Sequence, residues 1–211
     1  MTVLTDRFTR AVDYARIAHA AQVRKGTTVP YLTHLLGVAA LVIEFRGDED
    51  QAIAGLLHDT VEDCGAAHEH LIRAQFGDAV ADIVMACTDG TAEGKGAFED
   101  AEARRGDWME RKQAYIAHLE SAPEAVLLVS ACDKLQNARA IVQDHEESTI
   151  GNSVFDRFKG GQAGTLAYYE SLSSIFLARQ SKPANPLDTM VGRMHALAGV
   201  AHRRPLGGHA A

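Results

Sequence analysis

The stretch Leu56-Leu57-His58-Asp59-Thr60-Val61-Glu62-Asp63 gathers one imidazole and three carboxylates, side chains able to grip a cation. The apolar residues Ile53, Leu56, Leu57 and Val61 recur at i, i+3, i+4 and i+8, the stripe of an amphipathic helix. At about 100° per residue, His58, Asp59, Glu62 and Asp63 fall on the opposite face. The ordinary reading of such a face is that water solvates it, but here that has two costs. Asp59 stands three residues from Glu62 and four from Asp63, so like charges stack, each pair costing about 0.2–0.5 kcal/mol. All three carboxylates also lie in or near the last turn before Cys64-Gly65, where Gly65 is a natural stop and the helix dipole disfavours anions. No lysine or arginine stands four residues away to ease the strain. A metal ion or another cation at this face offsets both costs.

Two further positions carry related chemistry. Ser121-Ala122-Pro123-Glu124 reads as an N-cap, a proline allowed in the first turn and the closing glutamate of a capping box. The chain then runs Ala125-Val126-Leu127-Leu128-Val129-Ser130-Ala131-Cys132, apolar nearly all round, which predicts a buried helix. Asp133 then lies inside the protein, where an ionised carboxylate must be paired, hydrogen-bonded or bound to a metal. The adjacent Lys134 or a backbone amide is the partner if no metal is. His34 opens another apolar helix, with Thr33 as its expected N-cap. A lone histidine at a helix start is usually only a polar surface residue. Taken with His58, Asp59 and Asp133, however, it completes a set of two imidazoles and two carboxylates suited to a borderline or hard divalent cation such as manganese.

The order Arg24-Lys25, Pro30-Tyr31 with His34, His58-Asp59 with Glu62-Asp63, and Asp133-Lys134-Leu135 with Asn137 resembles the HD-domain phosphohydrolases. More narrowly, it is similar to the RelA/SpoT-type hydrolase domain and its small stand-alone forms, which remove the 3′-pyrophosphate from guanosine tetraphosphate or pentaphosphate in the stringent response. The resemblance implies an all-α helical bundle of the HD type over residues 1–180, followed by an extension at 181–211 with one amphipathic helix. It makes His34, His58, Asp59 and Asp133 the ligands of a single manganese ion. Glu62 and Asp63 correspond to the catalytic pair that orients and deprotonates the attacking water. Arg24 resembles the residue packing on the nucleotide base, while Lys25, Lys134 and Asn137 match positions that hold ribose or phosphate. Tyr168 resembles a tyrosine beside the nucleotide, with Tyr169 as the alternative. The chain departs from the pattern at Leu35, where many relatives have proline, and at Cys64 and Cys132, where threonine and alanine are common. The match does not extend to the nucleotide-synthesising and regulatory parts of long members, which implies hydrolysis only. The same site on another substrate, such as the 2′-phosphate of NADPH or a nucleoside monophosphate, is the alternative reading. A non-catalytic nucleotide-binding protein, or a helical scaffold with a structural metal, is a second alternative, disfavoured by the extra carboxylates Glu62 and Asp63.

The chemistry asked of such a site is attack of water on phosphorus. A divalent ion lowers the pKa of bound water and offsets charge on phosphoryl oxygens, while flanking carboxylates position the water and take its proton. One helical turn between His58-Asp59 and Glu62-Asp63 brings ion and base together. A substrate with several negative charges then needs cations opposite the metal, and Arg24, Lys25 and Lys134 are the nearest candidates. Each could as easily be a solvated surface charge.

The elements that must hold these residues read as helical throughout. With 211 residues, 46% hydrophobic and 23% charged, the chain suits one substantial core and reads as a single domain. Periodicity predicts helices at about 5–22, from His34, from Asp48 with Gln51 closing a capping box, and at about 67–76, 78–88, 108–120, 121–143 and 162–179. Strand-like alternation bounded by hairpin turns is missing, so an all-α bundle is expected. His19, on the first stripe, reads as a packed or surface histidine. Residues 88–107, rich in glycine and charge, read as a loop that either covers the site as a lid, through Lys95, Arg104 or Arg105, or is disordered. After Pro183 and Pro186, residues Leu187, Met190, Val191, Met194 and Leu197 outline a final helix that packs on the domain or on a second subunit, which leaves a homo-oligomer open. A formal net charge of −7 argues against a nucleic-acid partner, whereas a small anionic nucleotide needs only a local basic patch. No run approaches the ~18 apolar residues of a membrane span, and no signal-peptide core is evident, so a cytoplasmic protein without a membrane partner is expected. The three cysteines, at 64, 87 and 132, form no close-spaced metal motif and read as small buried apolar residues.

Overall fold

The computed structural model describes residues 2–89 and 100–206. Among them the regular structure is helical apart from an isolated bridge between Val23 and Pro30, so the all-α class holds. The chain forms two compact units, one of Met1–Gly96 with Ala122–Gln136 and one of Ala97–Ser121 with Asn137–Ala211. No helix of the described residues is long and apolar enough to cross a membrane.

The first unit holds α1 (Asp6–Ala18), α2 (Leu32–Glu44), α3 (Glu49–Leu57), α4 (Thr60–Cys64), α5 (His68–Phe76), α6 (Asp78–Cys87) and the opening part of α8 (Glu124–Glu146). Its centre is α3, which packs against α1, α2 and α6. Every residue from 52 to 57 is buried, so α3 has no solvated side there. Gly55 is what lets α2 come so close: a Cβ at that position would lie 3.3 Å from Ala39 Cα. At its other end, Asp48 and Gln51 form the expected capping box, each side chain taking the other's backbone N–H at 2.9 and 2.8 Å. The opening of α8 is buried from Val126 to Cys132, as its apolar run requires.

Several boundaries differ from the sequence expectation for identifiable reasons. The first helix ends at Ala18 instead of near 22, because residues 22–31 turn back on themselves, with Tyr31 N–H on Gln22 O at 2.9 Å and Arg24 N–H on Val29 O at 2.8 Å. The second begins at Leu32, with no side-chain cap, and Thr33 instead donates its hydroxyl to Pro30 O at 2.8 Å. The helix expected to run from Asp48 to Gly65 is broken at His58-Asp59 into α3 and α4. Glu62 and Asp63 therefore sit in the first turn of a five-residue helix, not at the end of a long one, so the dipole cost argued for them does not apply. Gly65 does stop the chain, with φ +115.

The second unit holds α7 (Ala101–Leu119), the rest of α8, a 3-10 helix (Gly151–Arg157), α9 (Gly161–Ala178) and α10 (Ala184–Leu197). Helix α7 starts seven residues before the expected 108, within the stretch read as a loop. Asp100 caps it by accepting from Ala103 N–H at 2.7 Å, and its exposed, charged first turns carry no apolar stripe that would have marked them. Ser121 lies in the turn closing α7, and α8 begins only at Glu124, so the expected Ser121 cap is not formed. Arg179 completes α7 by donating to the carbonyls of Leu119 and Glu120, at 2.9 and 2.5 Å, a cation at a helix C-terminus. Of the residues proposed to form a lid, Lys95 and the Arg104 side chain lie outside the described residues, and Arg105 is exposed on α7.

Candidate metal centre

Four side chains from four places in the chain meet inside the first unit. His34, on the first turn of α2, is fully buried. His58 caps the end of α3, Asp59 follows in the break before α4, and Asp133 rises from the buried part of α8. His34 Nε2 stands 3.3 Å from His58 Nε2, 3.4 Å from Asp59 Oδ2 and 3.3 Å from Asp133 Oδ1. His58 Nε2 is 3.1 Å from Asp59 Oδ2 and 3.6 Å from Asp133 Oδ1. Ligands held about 2.0–2.2 Å from one ion stand roughly 3.0–3.6 Å apart in tetrahedral or octahedral geometry, so the spacing among His34, His58 and Asp59 suits a shared ion, with Asp133 beside the two imidazoles.

The orientation of the two rings supports that reading. His58 Nδ1 is 3.0 Å from Gly55 O, and His34 Nδ1 is 2.6 Å from Gln136 Oε1. A carbonyl oxygen can only accept, so each Nδ1 carries the proton and each neutral ring presents the Nε2 lone pair inward. Two lone pairs and two carboxylates facing one another repel unless a positive charge sits among them. The donor set therefore fits a divalent ion, with Gly55 and Gln136 fixing the rings from behind. Removing one such support is expected to matter: Gln136→Leu should weaken divalent-ion affinity about 10–100-fold, measured by competition with a chelator. Unchanged affinity would mean that the His34 ring is held by packing alone.

Without an ion, protons do the same balancing. Burial by itself lowers an imidazole's pKa, but Asp133 and Asp59 hold His34 above its ordinary value and His58 well above it. Burial raises a carboxyl's pKa, yet His58 and His34 hold Asp59 well below the usual range, and Lys134 with the two histidines does so for Asp133. The raised histidines contribute stability that is complete below about 6.5 and is lost as pH rises through their folded values. The lowered carboxylates contribute stability present above about 4 and lost as pH falls through theirs. In a chelator, the melting temperature is thus expected to fall as pH is raised above about 6.5, and added divalent metal should cancel or invert that fall. Thermal scans across pH with and without metal check it, and a flat chelator curve would contradict the protonated cluster.

The residues around the cluster are mostly ones that carry no charge. Tyr31 donates its hydroxyl to Asp59 Oδ2 at 2.6 Å, and its ring lies between those of His19 and His34, each 5.4 Å away. Burial and Asp59 push the Tyr31 phenol far up, so it remains a donor. His19, buried as a packed residue, has Nδ1 on Gln22 Oε1 at 2.6 Å and Nε2 3.4 Å from Thr60 Oγ1. Gln22 in turn donates to Asp63 Oδ2 at 2.8 Å. Sequence reasoning gave Tyr31, Gln22 and Gln136 no role of their own. Only Tyr31 had a usable signal, a hydroxyl aromatic one turn before His34.

The other expected site residues are placed as follows. Lys134 Nζ donates to Asp133 Oδ2 at 2.5 Å, which leaves Oδ1 facing the imidazoles. Glu62 is half-buried and Asp63 exposed on α4, one turn from Asp59, whose carbonyl accepts from Asp63 N–H at 2.9 Å. Arg24, half-buried, and Lys25, exposed, open the 22–31 loop that Gln22 ties to α4. Asn137 and Tyr168 belong to the second unit, where Tyr168 and Tyr169 are both buried and the Tyr168 hydroxyl has no partner. Burial and Asp63 push the Cys64 thiol up to about 11, and burial and Asp133 push Cys87 up to about 12, so neither supplies a thiolate at neutral pH.

Comparison with known proteins places these features in context. A family model described as HD domain matches residues 11–160. The guanosine-3′,5′-bis(diphosphate) 3′-pyrophosphohydrolase MESH1 of Danio rerio is 30% identical over 182 residues, covering 81% of this chain and 93% of that protein. MESH1 of Xenopus tropicalis is 36% identical over 132 residues, covering 61% of this chain and 66% of that protein. The guanosine-3′,5′-bis(diphosphate) 3′-pyrophosphohydrolase of Aquifex aeolicus is 33% identical over 138 residues, 65% of this chain. The chain thus matches just under two thirds of the Xenopus protein and only 18% of the much longer Aquifex one. In fold, it resembles a solved structure described as a metazoan ortholog of SpoT that hydrolyzes ppGpp, with a TM-score of 0.70, 22% identity, and coverage of 92% of this chain and 98% of that one.

Proposed function

Because the chain belongs to the HD-domain family, we propose that it is a divalent-metal-dependent phosphohydrolase, with manganese as its ion, that removes the 3′-pyrophosphate from guanosine tetraphosphate or pentaphosphate. The observation that carries this reading is the convergence of His34, His58, Asp59 and Asp133 with both Nδ1 atoms turned outward onto carbonyl acceptors. When bound there, a divalent ion supplies positive charge for phosphoryl oxygens and acidifies a water.

The remaining chemistry falls to side chains of the protein. Asp63, whose Oδ2 accepts from Gln22 at 2.8 Å, is the carboxylate that takes the water's proton, with Glu62 beside it to orient that water. Tyr31 holds Asp59 in place through its short hydrogen bond, which keeps the ligand and the base a fixed turn apart. Arg24, Lys25 and Lys134 supply the cationic side of a site whose substrate carries many negative charges. The test is to incubate purified protein and Mn2+ with guanosine tetraphosphate, NADPH and a nucleoside monophosphate, and to resolve products by chromatography. Pyrophosphate release from guanosine tetraphosphate is expected. Orthophosphate from one of the other two would overturn the substrate assignment, and tight binding without turnover would overturn the enzymatic one.

A further inference from the structure

The second unit contains a cavity of about 680 Å3 whose lining includes none of the residues assigned to the proposed hydrolysis. Its floor is apolar, made by Met109 of α7, Leu166 of α9, and Val200 and Leu206 of the segment that follows α10. That segment is fastened as a fixed wall. Arg203 pairs with Glu170 of α9 and, at 2.6 Å, with Asp188 of α10, while Leu206 N–H reaches Ser171 Oγ at 2.7 Å and Ala167 O at 3.2 Å. The neighbouring Arg204 lines the cavity instead.

Three features give the cavity chemical character. Among the described residues no carboxylate lines it, although the chain has 28 acidic residues against 21 lysines and arginines, and Arg204 and His202 do line it. The first turn of α9 borders it at Gln162, Ala163 and Gly164; the N–H groups of Gly161 and Gly164 bond to Phe158 O and Gly160 O at 3.0 and 3.1 Å, while the cap, Gly160, offers no side-chain oxygen to those of Gln162 and Ala163. Third, His195 of α10 lines the cavity while 96% buried, being only 4% exposed. Its Nδ1 is 2.9 Å from Val191 O, so it donates there, and in the neutral ring the remaining nitrogen, Nε2, is the acceptor available to a ligand.

We propose that this cavity binds a small organic anion carrying a hydroxyl group on an apolar body. The oxyanion is held by Arg204 and the α9 N-terminus, the hydroxyl donates to His195 Nε2, and the body lies on Met109 and Leu166. A helix N-terminus and a guanidinium both favour an oxyanion, and a buried imidazole acceptor rejects an analogue that cannot donate to it. The volume is in the range of small-molecule sites.

The probe is 3-(4-hydroxyphenyl)propanoate, compared by calorimetry with 3-phenylpropanoate, which lacks the hydroxyl, and with the neutral amide of the probe. The probe is expected to bind about tenfold or more tightly than either analogue. Arg204→Gln, at an exposed position, should erase the preference for the acid over the amide. His195→Phe should erase the preference for the hydroxyl. No binding of the probe at millimolar concentration, equal affinity for all three compounds, or an acid preference that survives Arg204→Gln would each overturn the proposal.

Discussion

Replacing His58 by alanine is expected to abolish ion binding and hydrolysis together. His58 makes the closest approach in the cluster, 3.1 Å to Asp59, and its ring is locked by the Gly55 carbonyl. Its loss removes one proposed donor and leaves Asp59 and Asp133 with one imidazole fewer to offset their charge. Changes to outer supports of a metal site typically cost about 10–100-fold in affinity, so loss of a ligand itself should exceed about 100-fold. Elemental analysis after dialysis and the chromatographic assay read the two losses side by side. Retention of a full equivalent of metal by His58→Ala would remove that histidine from the coordination sphere.

Asp63→Asn should separate what His58→Ala removes together. Asparagine keeps the shape of the side chain and its bond to Gln22 but cannot accept the water's proton. Turnover is expected to fall about 100- to 10,000-fold, the usual worth of a general base, while metal content stays at the wild-type level. The division of roles between ligands and base rests on this contrast. Loss of metal in Asp63→Asn would place that carboxylate among the ligands instead. A rate near wild type would pass the base to Glu62.

These two residues also mark where sequence was informative and where it was not. His34 and Asp133 could be singled out because each is a polar residue in an apolar helix, and both proved buried. The break at His58-Asp59 was hidden because Val61 stays in phase with Ile53, Leu56 and Leu57, so the periodicity runs on through a turn that takes these two residues out of the helix. His58 was assigned to a polar face, yet residues 52–57 of α3 are all buried and His58 is 2% exposed. The supports were harder still. Gln136 meets His34 across 102 residues, and Gln22 meets Asp63 across 41. A neutral amide carries no local signal of either pairing. The opening of α7 was missed for the opposite reason, since no apolar stripe follows its cap at Asp100 to mark a helix there.

The proposed hydrolysis requires one ion shared by residues distant in sequence. An anomalous difference map from crystals grown with Mn2+ tests it. One peak is expected about 2.0–2.2 Å from His34 Nε2, His58 Nε2 and carboxylate oxygens of Asp59 and Asp133. A map with no peak among these four side chains, or with the ion held elsewhere, would contradict it.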